Sequence, residues 1–151
     1  CGDNLVVGVL SEEKCHFMDV NGYVFDEAPY FSGEVYFKFY GSIDSNFKKF
    51  IAFKKILEDI GLKPVAMAVL ENGDSKVSLS TSNSAGTKPE LIFKTEADLQ
   101  NMTENLQIAL DTEPLKSNFK NKYASLLYID LRFGNKIYYK FQWVIWDFGK
   151  I

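Results

Sequence analysis

The stretch DSNFKKFIAFKKILEDIGLKPVAMAVLENGDSKVSLS, residues 44–80, changes its hydrophobic period halfway along, and that change decides the fold class. In its first half Phe50, Phe53, Leu57 and Ile60 recur at helical spacing, flanked by Lys48, Lys49, Lys54 and Lys55. This predicts an amphipathic helix with one face on a sheet and the other in water. Asp44 or Ser45 is the expected N-cap and Gly61 the expected C′ residue. The second half has β-rich flanks around Asn72-Gly73. Asn-Gly supplies the positive φ values of a tight two-residue hairpin, so a strand pair is expected directly after the helix.

The same signals extend outward. HFMDVNGYVFDE (residues 16–27) holds Asn21-Gly22, and YIDLRFGNKIYYKF (128–141) holds Gly134-Asn135, each between strand-like flanks. EVYFKFYG (34–41) alternates Val35, Phe37 and Phe39 with Tyr36, Lys38 and Tyr40. ELIFK (90–94) is a shorter strand candidate after the polar loop TSNSAGTKP. TEADLQNMTENLQIAL (95–110) carries the stripe Leu99, Met102, Leu106 and Leu110. Thr95 is its expected cap, and the acids at 96 and 98 suit the positive end of the helix dipole. The order is hairpin, strand, helix, hairpin, strand, helix, hairpin, with no internal repeat. It implies an α+β fold, a largely antiparallel β-sheet with two covering helices. At 151 residues the chain is read as a single domain, 1–151, with 142–151 as an extension of the last strand or a tail.

Composition narrows the function classes. Aromatic residues are 15% of the chain, with 13 Phe and 8 Tyr, a bias that favours sheet. Net charge is -3 and no Lys/Arg run exceeds two residues, so no basic stripe for nucleic acid is present. Apolar runs fall far short of the ~18 residues that a membrane helix needs, and no signal peptide is visible. The chain begins at Cys1 rather than Met, so a trimmed chain or a partial gene record is expected, and an upstream targeting segment stays open.

Enzyme motifs are scarce: there is no GxSxG, Walker loop, HExxH or paired CxxC. The lone histidine, His16, is the best candidate base, but no partner and nucleophile are evident for it. Cys15-His16 is weaker as a pair, because adjacent strand residues point to opposite faces. Asp26-Glu27 and Glu12-Glu13 read as solvated loop acids, and the sequon Asn101-Met102-Thr103 falls inside a predicted helix. No metal or cofactor is expected. Cys1 and Cys15 are open to two readings, a disulfide closing the intervening segment or two unrelated thiols.

The terminal hairpin stands apart. Leu127, Ile129, Leu131 and Phe133 are expected on one face, with Tyr128, Asp130 and Arg132 on the other. Asp130 and Arg132, two residues apart, are expected to pair. On the second strand Ile137, Tyr139, Phe141, Trp143 and Ile145 share one face, while Lys136, Tyr138, Lys140 and Gln142 line the other. That predicts an unusually long final strand. At a sheet edge it would leave outward-facing Tyr138, Val144 and Trp146 to be covered by a loop or by a partner strand.

HFMDVNGYVFDEAP, then SGEVYFKFYG, then YIDLRFGNKIYY, resemble the extracytoplasmic β-domain of the FtsQ/DivIB bacterial cell-division proteins. The family hairpin pattern (I/V/L)-D-x-x-G-x-(V/I)-F corresponds to Met18 to Phe25, with Met in place of the first aliphatic residue. The closing Y-(I/V)-D-L-R-(F/Y) is matched by Tyr128 to Phe133. The resemblance spans nearly the whole chain, and the closing motif is its more specific part. It implies a non-enzymatic divisome scaffold for septum formation. The full-length protein would be anchored in the cell membrane by one upstream helix, with a POTRA domain preceding this extracytoplasmic domain. The implied partners are FtsB/FtsL (DivIC/FtsL), adding a strand to the terminal sheet at Phe133, Gly134, Lys136, Ile137, Tyr138 and Tyr139. It also favours the disulfide reading of Cys1 and Cys15. The WVIWDFGKI ending matches no family feature. The alternative is a small α+β hydrolase or ligand-binding domain with a pocket near His16.

Overall fold

In the computed structural model, residues 15–29, 34–80 and 88–142 are described. The helix expected from the opening stretch is α1, Phe47–Asp59. Phe47, Phe50, Phe53 and Leu57 are buried on one face, and Lys54 and Lys55 pair with acids one turn later on the other. Gly61 closes the helix as expected. Its N–H donates to the Glu58 carbonyl and the Leu62 N–H to that of Leu57, which satisfies two terminal carbonyls. The start differs. Asp44 caps no helical N–H with its side chain, accepting instead from the Asn46 N–H at 2.8 Å. It thereby forms a turn just ahead of the helix.

Among the described residues eight strands and three α-helices follow one another. β1 (Cys15–Met18) and β2 (Val24–Ala28) form a two-stranded antiparallel sheet. β3 (Lys38–Tyr40), β4 (Pro64–Val69), β5 (Asp74–Leu79), β6 (Glu90–Lys94), β7 (Leu126–Phe133) and β8 (Lys136–Phe141) form a six-stranded sheet in sequence order. Two of its pairings are parallel, β3 with β4 and β6 with β7. Each is bridged by helix: α1 in the first case, α2 (Leu99–Leu110) and α3 (Leu115–Lys122) in the second. The remaining pairings are antiparallel, so the α+β class expected from the sequence is the one observed.

Two helices were expected and three α-helices are present among the described residues. α3 carries one buried residue, Leu115, among Lys116, Lys120 and Lys122. Phe119 of α3 and Tyr123 just beyond it also pack against the core, so Leu115, Phe119 and Tyr123 make a short stripe at four-residue spacing that was not anticipated from the sequence. The cap of α2 lies three residues beyond the expected Thr95, at Asp98. The Asp98 side chain accepts from the Asn101 N–H, while the Thr95 hydroxyl bonds that of Ser75 at 2.8 Å.

The core lies between the helices and one face of the six-stranded sheet. Met67, Val77, Leu91, Phe93 and Ile129 from the strands meet Phe50, Phe53, Leu57, Met102 and Leu106 from the helices. The Phe53 and Phe93 rings meet edge-on at 5.2 Å. The sheet's other face carries the alternate residues, among them Lys76, Glu90, Lys94, Asp130 and Arg132.

The hairpin turns are not all two-residue loops. At Asn21-Gly22 and Asn72-Gly73 only the glycine has positive φ. The Gly22 N–H bonds the Asp19 carbonyl and the Gly73 N–H that of Leu70, which makes type I turns with glycine in the following bulge position. Gly134-Asn135 does form a two-residue loop between the paired Phe133 and Lys136, with positive φ at its first residue, Gly134.

Candidate interaction surface

β7 forms because Leu126, Ile129 and Leu131 enter the core, and β8 follows it antiparallel through the two-residue turn. Among the described residues β8 pairs with β7 alone and is the outermost strand on that side. At its far end the Gln142 N–H donates to the Ser125 carbonyl at 2.6 Å. Backbone groups alternate in direction along an antiparallel strand, so even-numbered residues face β7. The N–H and C=O groups of Ile137, Tyr139 and Phe141 therefore point away from the sheet.

Side chains divide the same way. Ile137, Tyr139 and Phe141 are half-buried against the core, and Lys136, Tyr138 and Lys140 are exposed on the opposite face. The expected outward set is thus met for Lys136 and Tyr138. Phe133 is a correction: it was expected inward with Ile129 and Leu131, yet it is 53% exposed. The β7–β8 register shifts between Asp130 and Phe133, and such a bulge reverses the side-chain alternation beyond it. The Phe133 ring then stands edge-on to that of Tyr138 at 5.2 Å, outside the core. β8 ends at Phe141, and the continuation expected through Trp143, Val144, Ile145 and Trp146 lies outside the described residues, as does the rest of 143–151.

The expected Asp130–Arg132 pair is present and belongs to a larger cluster. Arg132 donates through Nε to Asp130 Oδ1 at 2.9 Å and through Nη2 to Asp130 Oδ2 at 2.6 Å. Its Nη1 reaches Asp74 Oδ2 at 2.9 Å, and Lys94 Nζ meets Asp74 Oδ1 at 2.9 Å. Hydrogen bonds from Arg132 hold the Asp130 carboxyl below the usual aspartate range, and those from Lys94 and then Arg132 do the same for Asp74. The two aspartates in turn raise the already high pKa of Arg132. Both carboxylates stay ionised near neutrality, so the cluster ties strands together and keeps no proton in reserve. Asp74 and Lys94 were not anticipated. They sit opposite each other across β5 and β6, a pairing visible only once the strand order is known.

The other sequence candidates lie at the far side of the molecule. His16 is exposed on β1 and stands opposite Glu27 of β2. It lines a cleft of about 310 Å³ together with Phe17, Met18, Phe37, Ile51 and Lys54. Cys15 also lines it and is disulfide-bonded, so it carries no free thiol; Cys1 lies outside the described residues. Asp26 and Glu27 are exposed, with Asp26 Oδ1 accepting from the Glu27 N–H, and Glu12-Glu13 lie outside the described residues. Among the described residues no three His, Cys, Asp or Glu side chains are grouped to hold a metal ion. None of the described helices is long and apolar enough to cross a membrane. No protein-family model matches the chain, and no curated protein matches its sequence.

Proposed function

We propose that this chain is a non-enzymatic interaction domain that receives an extended segment of another protein along β8. The observation that carries the reading is the outer side of that strand. The backbone groups of Ile137, Tyr139 and Phe141 are directed away from β7, beside side chains that are only half-buried. A strand laid there would gain main-chain hydrogen bonds and cover apolar surface together, which is how sheet edges bind peptides. The resemblance to FtsQ/DivIB sequences supplies the biological setting, a divisome scaffold outside the cytoplasm, and makes the cognate FtsB/FtsL pair the first partners to test.

The test is pull-down of FtsB/FtsL ectodomains by the chain and by Ile137→Pro and Tyr139→Pro. Proline removes an outward N–H at these positions without taking a donor from the β7 ladder. Binding should fall at least tenfold in a variant whose circular dichroism is unchanged. A folded proline variant that binds as well as the parent would end the edge-pairing mechanism.

The cleft beside His16 favours a second reading, a ligand-binding domain with the site between the β1–β2 hairpin and α1. Its volume is at the lower end for small-molecule sites. It predicts saturable small-molecule binding that Ile51→Trp blocks and the β8 proline variants leave alone.

A further inference from the structure

The exposed row of β8 is Lys136, Tyr138 and Lys140, and its cross-strand neighbours are Phe133, Asp130 and Tyr128. The one carboxylate in that set, Asp130, is bound at both oxygens by Arg132. Among the described residues, neither Lys136 nor Lys140 forms an ion pair. The only other position directly opposite them is the one an added strand would occupy. On the opposite face Ile137, Tyr139 and Phe141 are half-buried, whereas Leu126, Ile129 and Leu131 on β7 are fully buried. The apolar layer therefore stops partway across the last strand.

Two registers in which a second copy could pair are poor complements to this pattern. Antiparallel pairing of two β8 strands about Tyr138 sets Lys136 against Lys140 of the other copy, twice. Parallel in-register pairing opposes identical lysines. Like charges directly opposite one another destabilise a strand pair, and lysine on an edge strand guards against such self-association.

We infer that this edge selects a strand from another protein in which Asp or Glu alternates with apolar β-formers. The acids lie opposite Lys136 and Lys140, and the apolar side chains extend the layer of Ile137, Tyr139 and Phe141. This rests on the edge-pairing reading and adds the chemical identity of the partner segment. The lysines act twice, attracting that segment and disfavouring those two registers of self-pairing.

The probes are two short synthetic peptides, one alternating Glu with Val and one alternating Lys with Val. Each is titrated by fluorescence anisotropy against the 1–151 chain at low and high salt. The Glu/Val peptide should bind about tenfold more tightly, and added salt should narrow the gap. The double variant Lys136→Glu/Lys140→Glu should invert the preference. These positions are exposed, so the fold is retained and circular dichroism verifies it. The Lys136→Thr/Lys140→Thr variant should shift toward dimer in size-exclusion chromatography. If both peptides bind equally and Ile137→Pro abolishes both, the edge stands and the acidic-strand inference falls. If neither peptide binds, or the proline variant binds both undiminished, edge pairing and partner chemistry fall together.

Discussion

The two ends of the six-stranded sheet finish differently. At the β3 end the outermost strand has three residues, and the β1–β2 hairpin packs beside it. Phe17 meets Tyr36 at 5.8 Å, Met18 reaches the core, and Gly22 comes close to Ile43 and Phe47. At the β8 end the outermost strand has six residues, with a lysine row on one face and a partly covered apolar row on the other. The first end is met by apolar surface from the same chain. The second presents, among the described residues, a charged row and main-chain groups directed away from the sheet. A protein that only had to remain folded would gain little from treating its two ends so differently.

Breaking the layer that both ends share has the largest expected effect. Phe93→Ala removes a fully buried ring in contact with Phe50 and Phe53, and should cost about 3–5 kcal/mol in urea denaturation. Both ends would loosen together. Next, Gly22→Val isolates the β3 end. Gly22 has φ +85, and a Cβ there would meet Ile43 Cγ2 at 2.8 Å. A loss of about 1–3 kcal/mol is expected, with amide exchange rising in β1 and β2 and peptide binding at β8 unchanged.

Acid probes the charged cluster behind the β8 end. Asp74 and Asp130 have folded pKa values below the ordinary value of about 4. Their contribution is therefore present above that value and declines as pH falls through the lower folded values. Stability measured against pH should drop over that acid range, and Asp130→Asn should flatten the drop. The smallest effect is expected for Tyr138→Ser. Stability should change by less than ~0.5 kcal/mol, while partner-strand affinity falls severalfold.

How far the sequence could be read depended on how local each cause was. The stripes of α1 and α2, the Gly61 stop and the hairpins are set by residues within a few positions of one another, and each was visible. Phe133 was not, because the bulge that turns it outward arises from the pairing of two strands. The Asn-Gly turns kept their places but changed type, since the flanking strands chose a bulged loop that uses positive φ at glycine alone. α3 has only a short signal, Leu115, Phe119 and Tyr123 at four-residue spacing among lysines and polar residues, and it was overlooked. Within the candidate surface the outward Lys136 and Tyr138 and the Asp130–Arg132 pair were legible from alternation. Asp74 and Lys94 became its neighbours only through strand order, and the His16 cleft only through where the first hairpin comes to rest.

The Arg132 cluster has a consequence for how the β7–β8 tip responds to solvent. Pairing of β6 with β7 ends at Ile92 and Asp130, so Arg132 and Phe133 run past the ladder. There the tip is braced to β5 and β6 through Asp74 and Lys94. Ladder and core are nearly indifferent to ionic strength, whereas partly exposed ion pairs weaken as salt rises. The molecule thus carries two kinds of fastening with separate sensitivities. Concentrated salt would leave the sheet standing while giving the β7–β8 tip more freedom, at the loss of the share of stability that these ion pairs supply.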